Sequence, residues 1–266
     1  MSAPALSTPL PRRHARLGRY AEWQARDFVI NIAIITLLLF GMLGWLIHLN
    51  MDANEEMMRA RHMTMTTPMR LGLFRELFAM FTYVAPIIAV SGIFSVDRSS
   101  GYTRFLFAKP VSPPRFYAQS LIVKFAGFLV VSAVLLFVWS RLHPPAFDWK
   151  ILAAAAIGFV VVGGIVFLTS VLTRFDGLIG IVVLLVGAVV WDKWEHVTGF
   201  KHWLTWIAPP TSKLTELHDW ALGLNAMGNL VDLPFPTKWA MWNVAYGVAC
   251  VLLGLVMLRK VPVTKA

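Results

Sequence analysis

The chain of 266 residues is 58% hydrophobic and only 14% charged, and it carries a formal net charge of +10. Soluble domains carry about 25% charged residues, and disordered chains combine low hydrophobicity with high charge, so this composition excludes both classes. The single cysteine, Cys250, excludes a disulfide scaffold. We therefore expect an integral membrane protein, whose basic excess faces the cytoplasm and does not bind nucleic acid.

Residues 1–27 are predicted to be a cytoplasmic tail that ends in an amphipathic helix. The first eleven residues are rich in Pro, Ser and Ala, as in unstructured segments. Beyond them, Leu17, Tyr20, Ala21 and Gln24 fall near helical spacing. Arginines lie between these positions. This pattern predicts a basic helix on the inner leaflet that turns into the first span, with a solvated basic run as the alternative.

Six apolar stretches predict membrane-spanning helices, each of which needs about 20 residues. They are residues 28–49, 77–95, 118–140, 151–173, 178–194 and 239–258. The fifth is the shortest, and it reaches its full length only by continuing through Trp194. The fold class is thus an all-α transmembrane domain over residues 28–258, followed by a cytoplasmic tail over 259–266.

Basic residues orient these spans. An even number of spans puts both termini on one side, which carries thirteen basic and four acidic residues, whereas the other side carries ten of each. Since basic residues accumulate on the cytoplasmic side, both termini are predicted to be cytoplasmic. Apart from Asp192 and Lys193 at the end of the fifth span, Lys124 is the one charged residue inside a predicted span, and its long side chain is expected to reach the inner headgroups or to face a partner.

The outer segment between the first two spans holds six of the twelve methionines. Thioether sulfurs with a histidine suit Cu(I), and the candidate ligands are Met57, Met58, His62, Met63 and Met65. The segment lacks a repeated M-x-x-M spacing, and methionine also serves as a flexible packing residue. Packing of these side chains is therefore the expected role, and no metal is assigned.

The outer segment from Asp192 to Lys238 is the longest connection and is rich in tryptophan. Tryptophan favours the membrane–water interface, and residues 214–224 show one apolar helical face. These features predict two short helices that lie in the outer leaflet or dip into it.

No motif for catalysis is present. The chain contains no G-x-x-x-x-G-K-[ST] loop for ATP, no H-E-x-x-H zinc motif and no G-x-S-x-G elbow. The seven histidines are scattered and are expected to be ordinary polar residues. The near absence of ionisable groups within the spans argues against a proton-coupled transporter.

The loop between spans two and three has the most distinctive sequence. Gly101 and Pro110 bracket a short segment whose apolar residues are Phe105, Leu106 and Ala108. The pattern predicts a short amphipathic helix, and the proline pair that follows makes a stiff connection to span three. Spacing alone leaves two roles open, a plain interfacial linker or a lever between a soluble partner and the membrane helices.

The arrangement D-R-x-x-G-x-x-x-x-x-x-A-K-P-V-S-x-x-R-F/Y in this loop resembles the permeases of the ABC type-2 exporter family. The likeness includes the basic N-terminal helix, the six spans, the cytoplasmic termini and a helical outer segment between spans five and six. Tyr102 and Thr103 differ from the acidic residue that the family often has after the loop glycine.

The resemblance implies a permease that pairs with a second copy, as a homodimer, and with two cytosolic ATPase subunits in a bacterial inner membrane. The loop would be the coupling helix, and the turn after span four would be a second contact. The residues implied in ATPase coupling are Asp97, Arg98, Gly101, Arg104, Phe105, Lys109, Pro110, Arg115, Arg174 and Asp176. The chain itself would hold no cofactor and would not be an enzyme, since ATP and Mg²⁺ bind the partner.

Two other functions stay open at the level of sequence. One is a non-catalytic membrane scaffold or assembly factor for an extracytoplasmic complex, including metal-centre maturation, which only the tryptophan-rich outer segment favours. The other is a lipid-modifying membrane enzyme, which would need a cluster of catalytic groups at one depth. Transport of a lipidic or amphipathic substrate is weakly favoured, because few charges lie within the spans.

Overall fold

The computed structural model describes residues 17–64, 66–99, 112–142, 148–225 and 227–260. Within these ranges the chain forms ten α-helices and no β-strand. In chain order the helices are α1 (Leu17–Phe28), α2 (Ile34–Ala60), α3 (Thr67–Val90), α4 (Ser95–Ser99), α5 (Pro113–Leu142), α6 (Trp149–Leu172), α7 (Asp176–Trp194), α8 (Phe200–Ile207), α9 (Leu214–Leu222) and α10 (Thr237–Leu258).

Six helical segments are long and apolar enough to cross a membrane, so the chain is an all-α, multi-pass membrane protein. They contain α2, α3, α5, α6, α7 and α10, and each predicted span lies within one of them apart from Thr173, which follows α6. We name the end of the bundle that carries Leu17 and Lys260 the terminal face, and the opposite end the distal face.

The first span belongs to a helix much longer than a bilayer is thick. It covers Tyr20–Ala60, and its 41 residues extend roughly 60 Å, about twice the hydrocarbon thickness. The predicted amphipathic helix is present as α1, and a π-helical turn, Val29–Ala33, joins it to α2 without a loop. Tyr20 of α1 packs edge-on against Phe116 of α5, with ring centroids 6.1 Å apart.

The methionine-rich segment between spans one and two is mostly helical. α2 continues through Ala60 and α3 begins at Thr67, so the two helices project beyond the predicted spans at the distal face. The Glu55 carboxylate joins them, because it accepts hydrogen bonds from Arg59 of the same helix and from Arg70 of α3, each at 2.6 Å. The connection between spans one and two is therefore short.

α6 is the central helix of the bundle. Of the residues in its most apolar stretch, 67% are buried, a larger share than in any other span of the described chain. The side chain of Asp148 caps its first turn by accepting a hydrogen bond from the Lys150 amide at 2.9 Å. α10 runs parallel to it, since Gly247 lies against Val160 and Gly254 lies against Phe167. Because glycine has no side chain, it lets the backbones of two membrane helices pack closely at these positions.

The long segment between spans five and six forms a re-entrant hairpin at the distal face. α8 descends, the Pro209–Pro210 pair makes the tip, and a 3-10 turn, Thr211–Lys213, leads into the ascending α9. The Thr211 hydroxyl donates a hydrogen bond to the Leu184 carbonyl at 3.0 Å. Leu184 lies near the middle of α7, so the tip reaches about half the depth of the membrane.

Four hydrogen bonds anchor the tip in the bundle. The hydroxyls of Tyr83 and Tyr246 donate to the carbonyls of Thr211 and Ile207, at 2.7 and 2.9 Å. The Trp191 indole donates to the Ala208 carbonyl at 3.1 Å, and the Thr211 hydroxyl makes the contact with α7. Non-helical backbone at membrane depth is tolerated only where protein satisfies its polar groups, as these side chains do here. The two predicted short helices therefore dip into the bundle from its distal end.

Candidate functional site

The candidate site is at the terminal face, where α3 ends. The helix stops at Val90, because Ser91 leaves the helical conformation and Gly92 follows with a φ of +77°. A positive φ is readily adopted by glycine and strained for residues with a Cβ. This break starts the connection that leads through α4 to α5, and it is the point at which three spans meet.

Asp176 ties the break to the other connection on this face. It is the first residue of α7, and its side chain is buried, with 5% exposure. Its carboxylate accepts hydrogen bonds from the Gly92 amide at 2.6 Å and from the Ser91 hydroxyl at 3.4 Å. The main-chain carbonyl of Asp176 also accepts one from the Thr169 hydroxyl at 3.1 Å. The end of α3, the end of α6 and the start of α7 are thus joined at one carboxylate residue.

Lys124 ties α5 to the same break. Its ammonium donates a hydrogen bond to the Ala89 carbonyl at 2.6 Å. Ala89 is in the last turn of α3, where carbonyls lack a partner within the helix. The expectation that Lys124 reaches the headgroups or a partner therefore gives way to an internal contact. A basic group bonds the carbonyl end of α3, and an acidic group bonds the amide just beyond it.

Asp97 closes the base of the distinctive loop. Its carboxylate accepts a hydrogen bond at 2.9 Å from the hydroxyl of Tyr117, which is 1% exposed and lies near the start of α5. Phe94 packs edge-on against the Tyr117 ring, with centroids 5.2 Å apart. The two ends of the loop are therefore held together at the membrane side, so a force on the loop reaches both α3 and α5.

The outer surface of this face is basic and partly apolar. The side chains of Arg98, Arg115 and Arg174 are exposed: the first two flank the loop between α4 and α5, and the third lies in the turn between α6 and α7. Phe175 is also exposed, at 58%, and the Arg174 guanidinium lies 4.9 Å from the centroid of its ring. Exposed aromatic and arginine side chains are the groups that most often carry binding energy at protein interfaces.

The structure brings together half of the residues that the resemblance implied. Asp97, Arg98, Arg115, Arg174 and Asp176 lie on the terminal face, on the two connections that Asp176 joins. The remaining five lie outside the described residues: Gly101, Arg104, Phe105, Lys109 and Pro110. Their predicted short helix and its docking role stay predictions.

Sequence reasoning missed several members of the site. Ser91 and Gly92 stood inside a predicted span, and Tyr117, which directly follows the motif, had no role. A glycine near the end of an apolar run is a signal for a helix break, and an acid at the first residue of a helix is a signal for a partner at its amide end. Neither signal identifies the partner, because Ser91 and Asp176 are 85 residues apart.

The candidate copper ligands are not assembled into an evident metal site. Met57 and Met58 end α2, and His62 and Met63 follow in a turn where His62 has a φ of 58°. Met57 and Met63 are exposed, and Met65 lies outside the described residues. Among the described residues no group of three or more His, Cys, Asp or Glu could hold a metal ion. Copper binding stays untested.

A second polar contact lies inside the bundle near the distal face. His218 of α9 is 1% exposed, and its Nε2 atom lies 2.8 Å from the Thr82 hydroxyl of α3. Phe78 packs against its ring, with centroids 5.0 Å apart. Burial, and to a smaller extent the Arg75 charge, lower the pKa of His218 to about 3. The neutral ring therefore anchors the hairpin to the second span, which the sequence did not indicate.

This burial predicts a pH dependence of stability that belongs to His218. The ordinary histidine pKa is about 6.5, so between about pH 6.5 and 3 the unfolded chain binds a proton that the folded chain does not. The contribution of His218 to the free energy of unfolding should thus be greatest above pH 6.5. It should fall by about 1.4 kcal/mol per pH unit between pH 6.5 and 3. Thermal unfolding at pH 5 and 7.5 should show this loss in the wild type and lack it in His218→Gln.

The matched control is His196→Gln, because His196 is exposed. That variant should keep the pH dependence of the wild type. Equal pH dependence in the wild type and in His218→Gln would show that the folded His218 takes up a proton as readily as the unfolded one, contrary to the buried contact with Thr82.

Comparison of the chain with protein-family models, with curated proteins and with solved structures finds no match. Its function must therefore be argued from its own residues. The two features available for that argument are the joined connections on the terminal face and the motif within the first of them.

Proposed function

We propose that the chain is the transmembrane permease subunit of an ATP-binding-cassette exporter, driven by a separate cytosolic ATPase. The observation that carries the proposal is the hydrogen bonding of Asp176 to Ser91 and Gly92. These bonds join the loop between spans two and three to the turn between spans four and five, so that the two move as one unit. The resemblance implies that both contact the ATPase. The terminal face is then the cytoplasmic face of a bacterial inner membrane, in agreement with its excess of basic residues.

The contacts at this unit suggest how a movement of the ATPase would reach the membrane. A displacement of the loop after α4 acts on α3 and α5 together, because Asp97 bonds to Tyr117 and Lys124 bonds to Ala89. The same displacement acts on α7 through the carboxylate of Asp176. Spans two, three and five would tilt as a group, which couples a stroke at one face to the bundle.

The distal hairpin limits the routes that a substrate could take through the bundle. It fills the distal half of the bundle between α3, α7 and α10, where the tip is bonded to Tyr83, Leu184 and Tyr246. A substrate path through the distal half therefore requires a displacement of the hairpin or a route between two copies of the chain. We propose the second copy as the partner, with two ATPase subunits that bind ATP and Mg²⁺, and no catalytic role for this chain.

The test uses charge-altering substitutions in the loop, Phe105→Asp and Arg104→Glu, and a third at the second contact, Phe175→Asp. The full chain is purified from its native host, and a bound ATPase is identified by its own nucleotide-binding motif. Each substitution is expected to weaken ATPase binding by roughly 30-fold or more, since interface anchors carry about 2 kcal/mol or more. ATPase stimulation by the reconstituted chain should fall in parallel.

The matched control is Arg259→Glu, which reverses an exposed charge on the same face beyond the end of α10. It should bind the ATPase like the wild type. If the two loop variants and Phe175→Asp also bind and stimulate it normally, the connections are ordinary linkers. If no stoichiometric ATPase is found with the wild-type chain, a scaffold or assembly role replaces the permease.

A further inference from the structure

A cavity of about 480 Å³ opens at the distal face, away from the proposed ATPase contacts. It lies between α9 and the segment over residues 233–239 that leads into α10. Its volume is within the range of about 300–1,000 Å³ that small-molecule sites occupy. Trp220 and Trp239 are among its lining residues, and tryptophan concentrates at the level of the lipid headgroups. The cavity is therefore open to the interface between membrane and water.

One wall of the cavity suits an organic cation. Glu216 and Asp219 are three residues apart on α9, and both residues line the cavity. Trp220 and Phe235 line the cavity as well, and their ring centroids are 4.8 Å apart. Aromatic rings next to carboxylates attract ammonium and quaternary ammonium groups.

The two carboxylates of this wall are not equally available. Asp219 is paired with Arg75 at 2.8 Å, and burial raises the pKa of its carboxyl group. Glu216 is the more exposed of the two, with 42% of its side chain accessible. It shares Lys213 with Glu195, whose carboxylate is closer to that lysine, at 2.6 Å against 3.3 Å. Glu216 is thus the more accessible of the two carboxylates.

The other wall suits a phosphate. Lys238 is exposed, and its ammonium lies 4.5 Å from the centroid of the Trp239 ring. No carboxylate in the part of the chain that the structure describes comes within ion-pair distance of it. A purely anionic ligand would bind Lys238 but face the two carboxylates, and a simple cation would leave the lysine unused. A ligand that carries both charges satisfies both walls.

We propose that this cavity binds the zwitterionic headgroup of a phospholipid, a phosphate joined to a choline or ethanolamine group. The ammonium end contacts Glu216 and Trp220, and the phosphate contacts Lys238. Met241 is one turn further along α10 and is 68% exposed, so the acyl chains have an apolar path from the cavity along that helix. The site does not depend on an ATPase, and its test uses the purified chain alone.

The test measures the binding of radiolabelled dioctanoyl phosphatidylcholine to the purified full chain in detergent. Unlabelled phosphatidylcholine should displace the label, and unlabelled dioctanoyl phosphatidylglycerol, which lacks the ammonium group, should do so about tenfold less effectively. Soluble phosphocholine should displace it only at higher concentration, because it lacks acyl chains. If phosphocholine binds as tightly as the lipid, the ligand is a free zwitterion and the assignment to a lipid is wrong.

Two substitutions separate the walls. Glu216→Gln should weaken phosphatidylcholine about tenfold and leave phosphatidylglycerol unchanged, whereas Lys238→Gln should weaken both lipids. Asp192→Asn and Lys193→Gln are the controls, because they neutralise exposed residues at the same face outside the cavity. Thermal unfolding verifies that all four variants fold. Equal affinity of the wild type for the two lipids, or unchanged phosphatidylcholine binding in Glu216→Gln, would overturn the proposal.

Discussion

Replacing Gly247 by alanine is expected to lower the free energy of unfolding by about 3 kcal/mol, the upper end of the usual cost of overpacking. The added Cβ would overlap the Val160 carbonyl and come within 2.8 Å of the Val161 Cα. These are backbone atoms of the central helix α6, so no side-chain rotation relieves the clash. Either α10 moves away from α6 or both helices shift, and the buried contacts along the pair are lost.

Gly41→Ala is the matched control for this prediction. Gly41 is in α2, and a Cβ built on it would meet nothing within 4 Å. Alanine there should leave stability unchanged or raise it by up to about 1 kcal/mol through helix propensity. Thermal unfolding of the two variants in the same detergent provides the comparison. Equal melting temperatures would mean that α6 and α10 do not touch at Gly247.

Replacing Asp176 by alanine is expected to cost about 2 kcal/mol of stability, as for the loss of a hydrogen bond to a charged group. The Gly92 amide would lose its acceptor, and the Ser91 hydroxyl would lose its partner. Asp176→Asn should cost less, because the amide oxygen can still accept one hydrogen bond. Thermal unfolding measures the stability, and hydrogen exchange of residues 91–99 should become faster in the alanine variant.

The control for Asp176 is Asp232→Ala, since the Asp232 side chain is 98% exposed and its nearest basic atom is 3.9 Å away. It should change neither stability nor exchange at residues 91–99. If Asp176→Ala also leaves that exchange unchanged, the two connections are independent of each other. The mechanical unit on which the proposed function depends would then be absent.

Hydropathy was sufficient to predict the six apolar helices. A long apolar helix has one favourable place, the hydrocarbon core, and that preference is a property of each segment alone. The predicted spans consequently fall within the six apolar helical segments apart from Thr173, although the second of them runs through the break after α3. The tryptophan-rich connection was also predicted as two short helices, because interfacial residues and an apolar helical face are local signals.

The sequence by itself thus determined the number of spans, the amphipathic first helix and the helical outer segment. The tertiary structure alone decided which polar groups meet, and it decided the depth of the hairpin. Gly92 and Asp176 are 84 residues apart, and Thr82 and His218 are 136 apart. The physical reason is that a buried polar group must form a hydrogen bond, but the local sequence does not specify its partner. The packing of the helices decides which partner is within reach.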